Sequence, residues 1–90
     1  MAKYVLELRF DKDNEKRLAV RPNHREYLQT LLERGKLFMS GPWSDDSGAL
    51  IIYEAEDEAE ARAILAADPY TEAEVYSLVA LREWRLIFPS

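Results

Sequence analysis

The sequence predicts an α+β fold of order βαββαβ, with one antiparallel four-stranded sheet and both helices on the same face. Three observations carry that reading. Ala2 to Phe10 alternates apolar and polar positions with period two. Val20 to Gly35 repeats apolar positions three and four residues apart. The second half then repeats strand, helix and strand through ALIIYE, an alanine-rich stretch and an alternating tail.

In the first strand, Tyr4, Leu6, Leu8 and Phe10 share one face, and Val5, Glu7 and Arg9 the other. A face of that kind turns toward a core. Asp11 to Ala19 is highly charged and reads as a connection. The helix Val20 to Gly35 carries Pro22 at its first positions, where a missing N–H costs nothing. Tyr27, Leu28, Leu31 and Leu32 form its stripe, and Gly35 supplies the left-handed stop. Lys36 to Ser40 is a short second strand, which Gly41 and Pro42 are expected to end. Trp43 and SDDSG form a turn, and Ala49 to Glu54 is a third strand whose continuous apolar run implies cover on both faces. Asp57 caps the second helix, with Glu60 three residues on in a capping-box-like arrangement. Asp68-Pro69 ends that helix and starts one further turn, Pro69 to Val75. Ser77 to Phe88 is the last strand, a long one. This order is the split βαβ, ferredoxin-like arrangement.

Ninety residues make one domain, 1–90, with a single small core. The chain has no cysteine and one histidine, which rules out disulfides and thiol nucleophiles and argues against a dedicated zinc site. A net charge of -5 argues against nonspecific nucleic-acid binding. The alternating start is not a signal peptide, and no apolar run spans a bilayer, so a cytoplasmic protein without a membrane or nucleic-acid partner is expected. With the helices on one side, the other sheet face carries Val5, part of ALIIYE and apolar residues of the last strand. A face-to-face homodimer, two sheets closing into an α/β barrel, would bury it.

The alternating directions of the elements gather the candidate chemistry at one end of the sheet. His24, in the first turn of its helix on this reading, meets Asp68 and the corner Ser40-Gly41-Pro42-Trp43. A carboxylate that takes the Nδ1 proton of an imidazole fixes its tautomer and makes the other nitrogen a better base. Helix-start N–H groups would favour an anion beside it. Each residue also has a plainer role. His24 fits a partly buried side chain at the edge of the stripe, and Asp68 the cap of the next turn. Gly41 and Pro42 suit a strand end, and Tyr27 and Tyr70 a core or pocket wall; Arg17 and Arg21, just before the helix, fit either recognition of a carboxylate or phosphate or a solvated, salt-bridged surface. Trp43 suits either a dimer interface or a ring stack.

RLAVRPNHREYL, GKLFMSGP and AADPY, in this order and spacing, resemble the signature of the YciI-like (YCII-related) family over nearly the whole chain. The resemblance implies a dimeric α/β barrel of ferredoxin-like topology, similar in fold to muconolactone isomerase, and His24 and Asp68 as a catalytic pair. The compact WSDDSG connection departs from relatives with a longer insertion there, which implies a more open site or a different substrate. Together these readings point to a cofactor-independent enzyme of lyase, isomerase or dehalogenase type, acting on a small anionic or ring-containing metabolite. His24 moves a proton, Asp68 orients it, and Arg21, Ser40, Gly41, Pro42 and Tyr70 bind substrate, with Arg21 or the Ser40 and Gly41 backbone holding developing charge. The alternative is a noncatalytic dimeric binding or accessory module, in which the histidine supplies only a hydrogen bond.

Overall fold

Alternation along β1 (Ala2–Phe10) sends Tyr4, Leu6 and Leu8 to one side, where each is at most 5% exposed. The computed structural model describes residues 1–12 and 14–89. After β1 come α1 (Asn14–Glu33), β2 (Leu37–Pro42), β3 (Gly48–Ala55), α2 (Glu58–Ala66), the single turn α3 (Pro69–Ala73) and β4 (Tyr76–Trp84). The strands form one antiparallel sheet in the order β2-β3-β1-β4, which is the ferredoxin-like topology. No helix among the described residues is long and apolar enough to cross a membrane.

Register fixes the two faces. Tyr4, Leu6 and Leu8 pair with Tyr53, Ile51 and Ala49, so these six point the same way. Against them pack Leu28 and Leu31 of α1 and Ala61 and Leu65 of α2, making one core beneath the helices. The small Ala61, fully buried, lets α2 lie close to the sheet. Gly48 is required by a close approach, because a Cβ there would run into the Leu8 carbonyl. The other face carries Val5, Leu50, Ile52 and Trp84, with Lys3 paired to Glu54 at 2.8 Å beside them.

Helix ends follow local chemistry. Gly35, at φ 74°, ends α1 with Lys36 N–H donating to Leu31 and Gly35 N–H to Leu32, a Schellman pattern. Asp57 accepts from Glu60 N–H at 2.8 Å, as a capping residue does. Glu60 reaches back one residue further than a standard capping box, accepting from Glu56 N–H at 2.8 Å, and also pairs with Lys36 at 3.2 Å.

Three expectations need correction. Of the expected connection Asp11 to Ala19, the part from Asn14 on is helix, because α1 begins at Asn14; Asp13 lies outside the described residues. Arg17 lies on the Phe10 ring at 4.3 Å, so a charged residue occupies a core-facing position that an apolar stripe cannot reveal. Pro22 is therefore inside the helix, on its exposed side, where the Leu18 carbonyl it leaves without a donor is not in the core. Second, Gly41 and Pro42 belong to β2, pairing with Leu50 and Ala49. Pro42 is tolerated because β2 is an edge strand. Third, β4 stops at Trp84 instead of Phe88, since Trp84 already pairs with Lys3 and β1 offers almost no chain beyond it. A bulge opposite Glu7 and Leu8 absorbs Val79, which puts Leu81 on the core side and Ala80 and Trp84 on the open face.

Candidate functional site

The geometry around His24 starts with α3. Proline at its first position presets the backbone, and Asp68 caps the turn by accepting from Tyr70 N–H at 2.8 Å. Glu74 closes it in the left-handed region at φ 56°. That short turn holds the Asp68 carboxylate, 1% exposed, against α1. His24 Nδ1 lies 2.8 Å from Oδ1 and 2.9 Å from Oδ2 of Asp68. With the carboxylate also accepting from Tyr70 N–H, Nδ1 is the donor to it, and in the neutral imidazole the lone pair then lies on Nε2.

Two residues beyond the cap, Tyr70 lays its ring on the imidazole, 3.8 Å between centroids and 3° from parallel. Phe10 meets the other side of Tyr70 edge-on at 6.0 Å. His24 is thus held by a carboxylate at one edge and a phenol on one face, and is 7% exposed. Its position corrects the expected first-turn placement. With α1 starting at Asn14, His24 lies deep within the helix, and the helix-start N–H groups do not reach it.

A cavity of about 460 Å³ opens beside the imidazole. Its wall includes Arg21, His24, Ser40, Gly41, Pro42 and Tyr70, six of the seven candidate residues. Asp68, the seventh, stands behind His24 and reaches the cavity only through it. A Cβ built on Gly41 would meet nothing within 4 Å, so the β2 backbone is open to approach there. Tyr27 is not in this wall; its hydroxyl donates to the Ile64 carbonyl at 2.6 Å and ties α1 to α2.

Sequence reasoning weighs Arg17 and Arg21 as anion binders, but it does not place Arg25, Phe10 or Asp46 in this wall. Arg17 and Arg25 bracket Arg21 at four-residue spacing along α1, so a row of three guanidinium groups faces the cavity. The signal was present in the spacing, but only a helix starting before Arg17 makes it legible. Phe10 from the end of β1, Asp46 from the β2–β3 turn and apolar side chains such as Leu28, Leu32 and Met39 also line it. Burial pushes the Tyr70 hydroxyl up, while a hydrogen bond with Arg17 and the charges of the three arginines pull against that shift. Among the described residues, no group of three His, Cys, Asp or Glu side chains is placed to hold a metal ion.

Residues 2–85 match the model of the YCII-related domain. Protein YciI of Escherichia coli O6:H1 is 39% identical over 84 residues, covering 82% of this chain and 86% of that protein. The uncharacterized protein YjpA of Bacillus subtilis strain 168 is 35% identical over 82 residues, covering 91% and 92%. Among solved structures, 5-chloro-2-hydroxyhydroquinone dehydrochlorinase (TftG) of Burkholderia phenoliruptrix AC1100, in complex with 2,5-dihydroxybenzoquinone, is similar with a TM-score of 0.65 at 26% identity, over 93% of each chain.

Proposed function

The chain belongs to the YCII-related domain family, and from that membership and the geometry of the site we propose that it is an acid–base enzyme for a small ring-containing metabolite. One observation carries the reading: an imidazole with Nδ1 committed to a buried carboxylate lines a cavity of about 460 Å³. In this reading Nε2 of His24 takes a proton from the substrate, and Asp68 balances the imidazolium that forms. The electron pair released moves through the ring and either expels a halide, the imidazolium then losing its proton to solvent, or shifts a double bond, the imidazolium then returning its proton to the carbon at the far end. Arg21 and the open backbone at Gly41 hold the oxygen on which negative charge grows. Pro42 and Tyr70 are walls that fix the ring. The similarity to a dehydrochlorinase crystallised with a quinone supports halide loss as the form of this chemistry to test first.

Turnover is the direct test. The purified protein is incubated with chlorinated hydroxyphenols, lactones and enol acids, and released chloride and ring absorbance are followed. Turnover that disappears in His24→Ala and falls steeply in Asp68→Asn supports the proposal. Turnover that survives His24→Ala, or none across the panel, overturns it.

The active form in this proposal is a homodimer closed through the open sheet face. Val5, Leu50, Ile52 and Trp84 line a second, shallower hollow there, and Trp84 is 41% exposed in the single chain. Light scattering should give twice the chain mass of 10.5 kDa, and Trp84→Glu should reduce it to one chain. A wild-type monomer at micromolar concentration refutes this assembly.

A further inference from the structure

Among the side chains lining the cavity, Arg17 combines full charge with burial. It is 5% exposed; its Nη2 donates to Asn14 Oδ1 at 3.2 Å and its guanidinium also meets the Tyr70 hydroxyl, while its Nε has no hydrogen-bond partner among the described residues. A guanidinium cannot shed its proton in a protein, and burying a charge without a carboxylate is costly. Among the described residues neither Arg17, Arg21 nor Arg25 takes part in an ion pair. Asp68 does not serve them, because its oxygens go to His24 and Tyr70. Among the described residues, the one acidic side chain in the cavity wall is Asp46, exposed in the β2–β3 turn.

The Arg17 guanidinium lies over the Phe10 ring, its Cζ 4.3 Å from the centroid, and its N–H donors lie at its edge, in the geometry that matches a carboxylate or phenolate oxygen. Arg21 follows one helical turn later, and His24 three residues beyond that, so cations and base lie along one line of α1.

Resting on the acid–base reading above, we propose that Arg17, supported by Arg21 and Arg25, is the receptor for an ionised oxygen of the substrate, so that the substrate enters as an anion with its charge one to two helical turns from His24. Among the described residues this buried cation has no carboxylate partner, and the substrate brings an anionic one. Carboxylate and phenolate share this chemistry.

Calorimetric titration separates these sources and tests the subsite without turnover. The probes are benzoate, 4-nitrophenolate and neutral benzamide, each added to wild type, Arg17→Met, Arg17→Lys, Arg21→Met and His24→Ala. Wild type should bind at least one anion about 10- to 100-fold more tightly than benzamide, the range expected for a hydrogen bond to a charged group. Whether benzoate or 4-nitrophenolate is preferred identifies the oxygen. Arg17→Met, which keeps an apolar stem over Phe10, should erase the preference. Arg17→Lys should keep only part of it, as a point charge replaces a fork. Should Arg17→Met fail to fold, Arg17→Lys and Arg21→Met carry the test through their loss of preference. His24→Ala should retain the preference, so its turnover reports on the acid–base reading alone. Anions bound by wild type no better than benzamide, or a preference undiminished in the folded Arg17 variants, overturn the subsite.

Discussion

Asp68 does two things at once, and two substitutions separate them. Its carboxylate caps α3 through Tyr70 N–H and accepts from His24 Nδ1, with all three distances between 2.8 and 2.9 Å. Asp68→Ala removes both. Losing an N-cap costs about 1 kcal/mol, and losing a hydrogen bond to a charged group about 1.5 to 3 kcal/mol. The sum of about 2.5 to 4 kcal/mol lowers the melting temperature of a domain this size by about 10 to 30 °C. Asp68→Asn should behave otherwise, because asparagine caps as well as aspartate and keeps one oxygen for Tyr70 N–H; its stability should stay within about 1 kcal/mol of wild type. Its amide nitrogen then faces Nδ1, which must become an acceptor, so the imidazole proton moves to Nε2. A base with its lone pair turned away from the cavity loses about 10²- to 10⁴-fold in rate. Thermal unfolding by circular dichroism measures the first effect, and long-range ¹⁵N–¹H correlation at pH 8 reads the tautomer. Equal destabilisation by the two substitutions, or a proton that stays on Nδ1 in Asp68→Asn, refutes the reasoning.

At alkaline pH, all five tyrosines are pushed up from their ordinary 10.0 by burial. The unfolded chain therefore loses phenolic protons first, so this stability is intact below pH 10 and is lost above it. Tyr53 alone should contribute a slope of about 1.4 kcal/mol per pH unit. Urea unfolding between pH 8 and 11.5 checks this: Tyr53→Phe should flatten the slope, and a wild type indifferent to pH in that range contradicts it. At the acid end, the Glu56 N–H and Lys36 hold the Glu60 carboxyl below its ordinary 4.5. Its contribution is present above that value and fades as pH falls below it, so Glu60→Gln should give a flatter acid limb; an unchanged limb counts against the Lys36–Glu60 contact. Gly48→Ala places a methyl against the Leu8 carbonyl and should cost about 1 to 3 kcal/mol by chemical denaturation, whereas an unaltered midpoint would mean the two strands can part freely.

Much of this arrangement was legible in the residues. Period-two alternation placed β1, and the order of elements alone brought His24 and Asp68, far apart in the chain, to one end of the sheet. The Asp68-Pro69 pair announced both the end of α2 and the cap of α3. What was not legible shares a cause. Where a charged side chain does the packing, hydrophobic periodicity goes silent, so Arg17 hid the first turns of α1 and the row of arginines with them. Pro22 then offered a false start that local chemistry could not reject. The far end of β4 depended on how much of β1 remained to pair with, which is a property of register and not of composition. The open backbone at Gly41 was anticipated, but its membership in β2 rests on the edge position that only the assembled sheet defines.

The parallel lie of the Tyr70 phenol on the imidazole has a stereochemical consequence. The Nε2 lone pair lies in the ring plane, Asp68 fixes the direction in which it points, and Tyr70 covers one face at 3.8 Å, so in the proposed reaction a substrate meets that lone pair from the uncovered side. A hydrogen removed from a prochiral carbon would leave from one side of that carbon only. In deuterium oxide, exchange of label into such a position should yield one enantiotopic product, and a racemic pattern would mean that the two rings separate during each cycle.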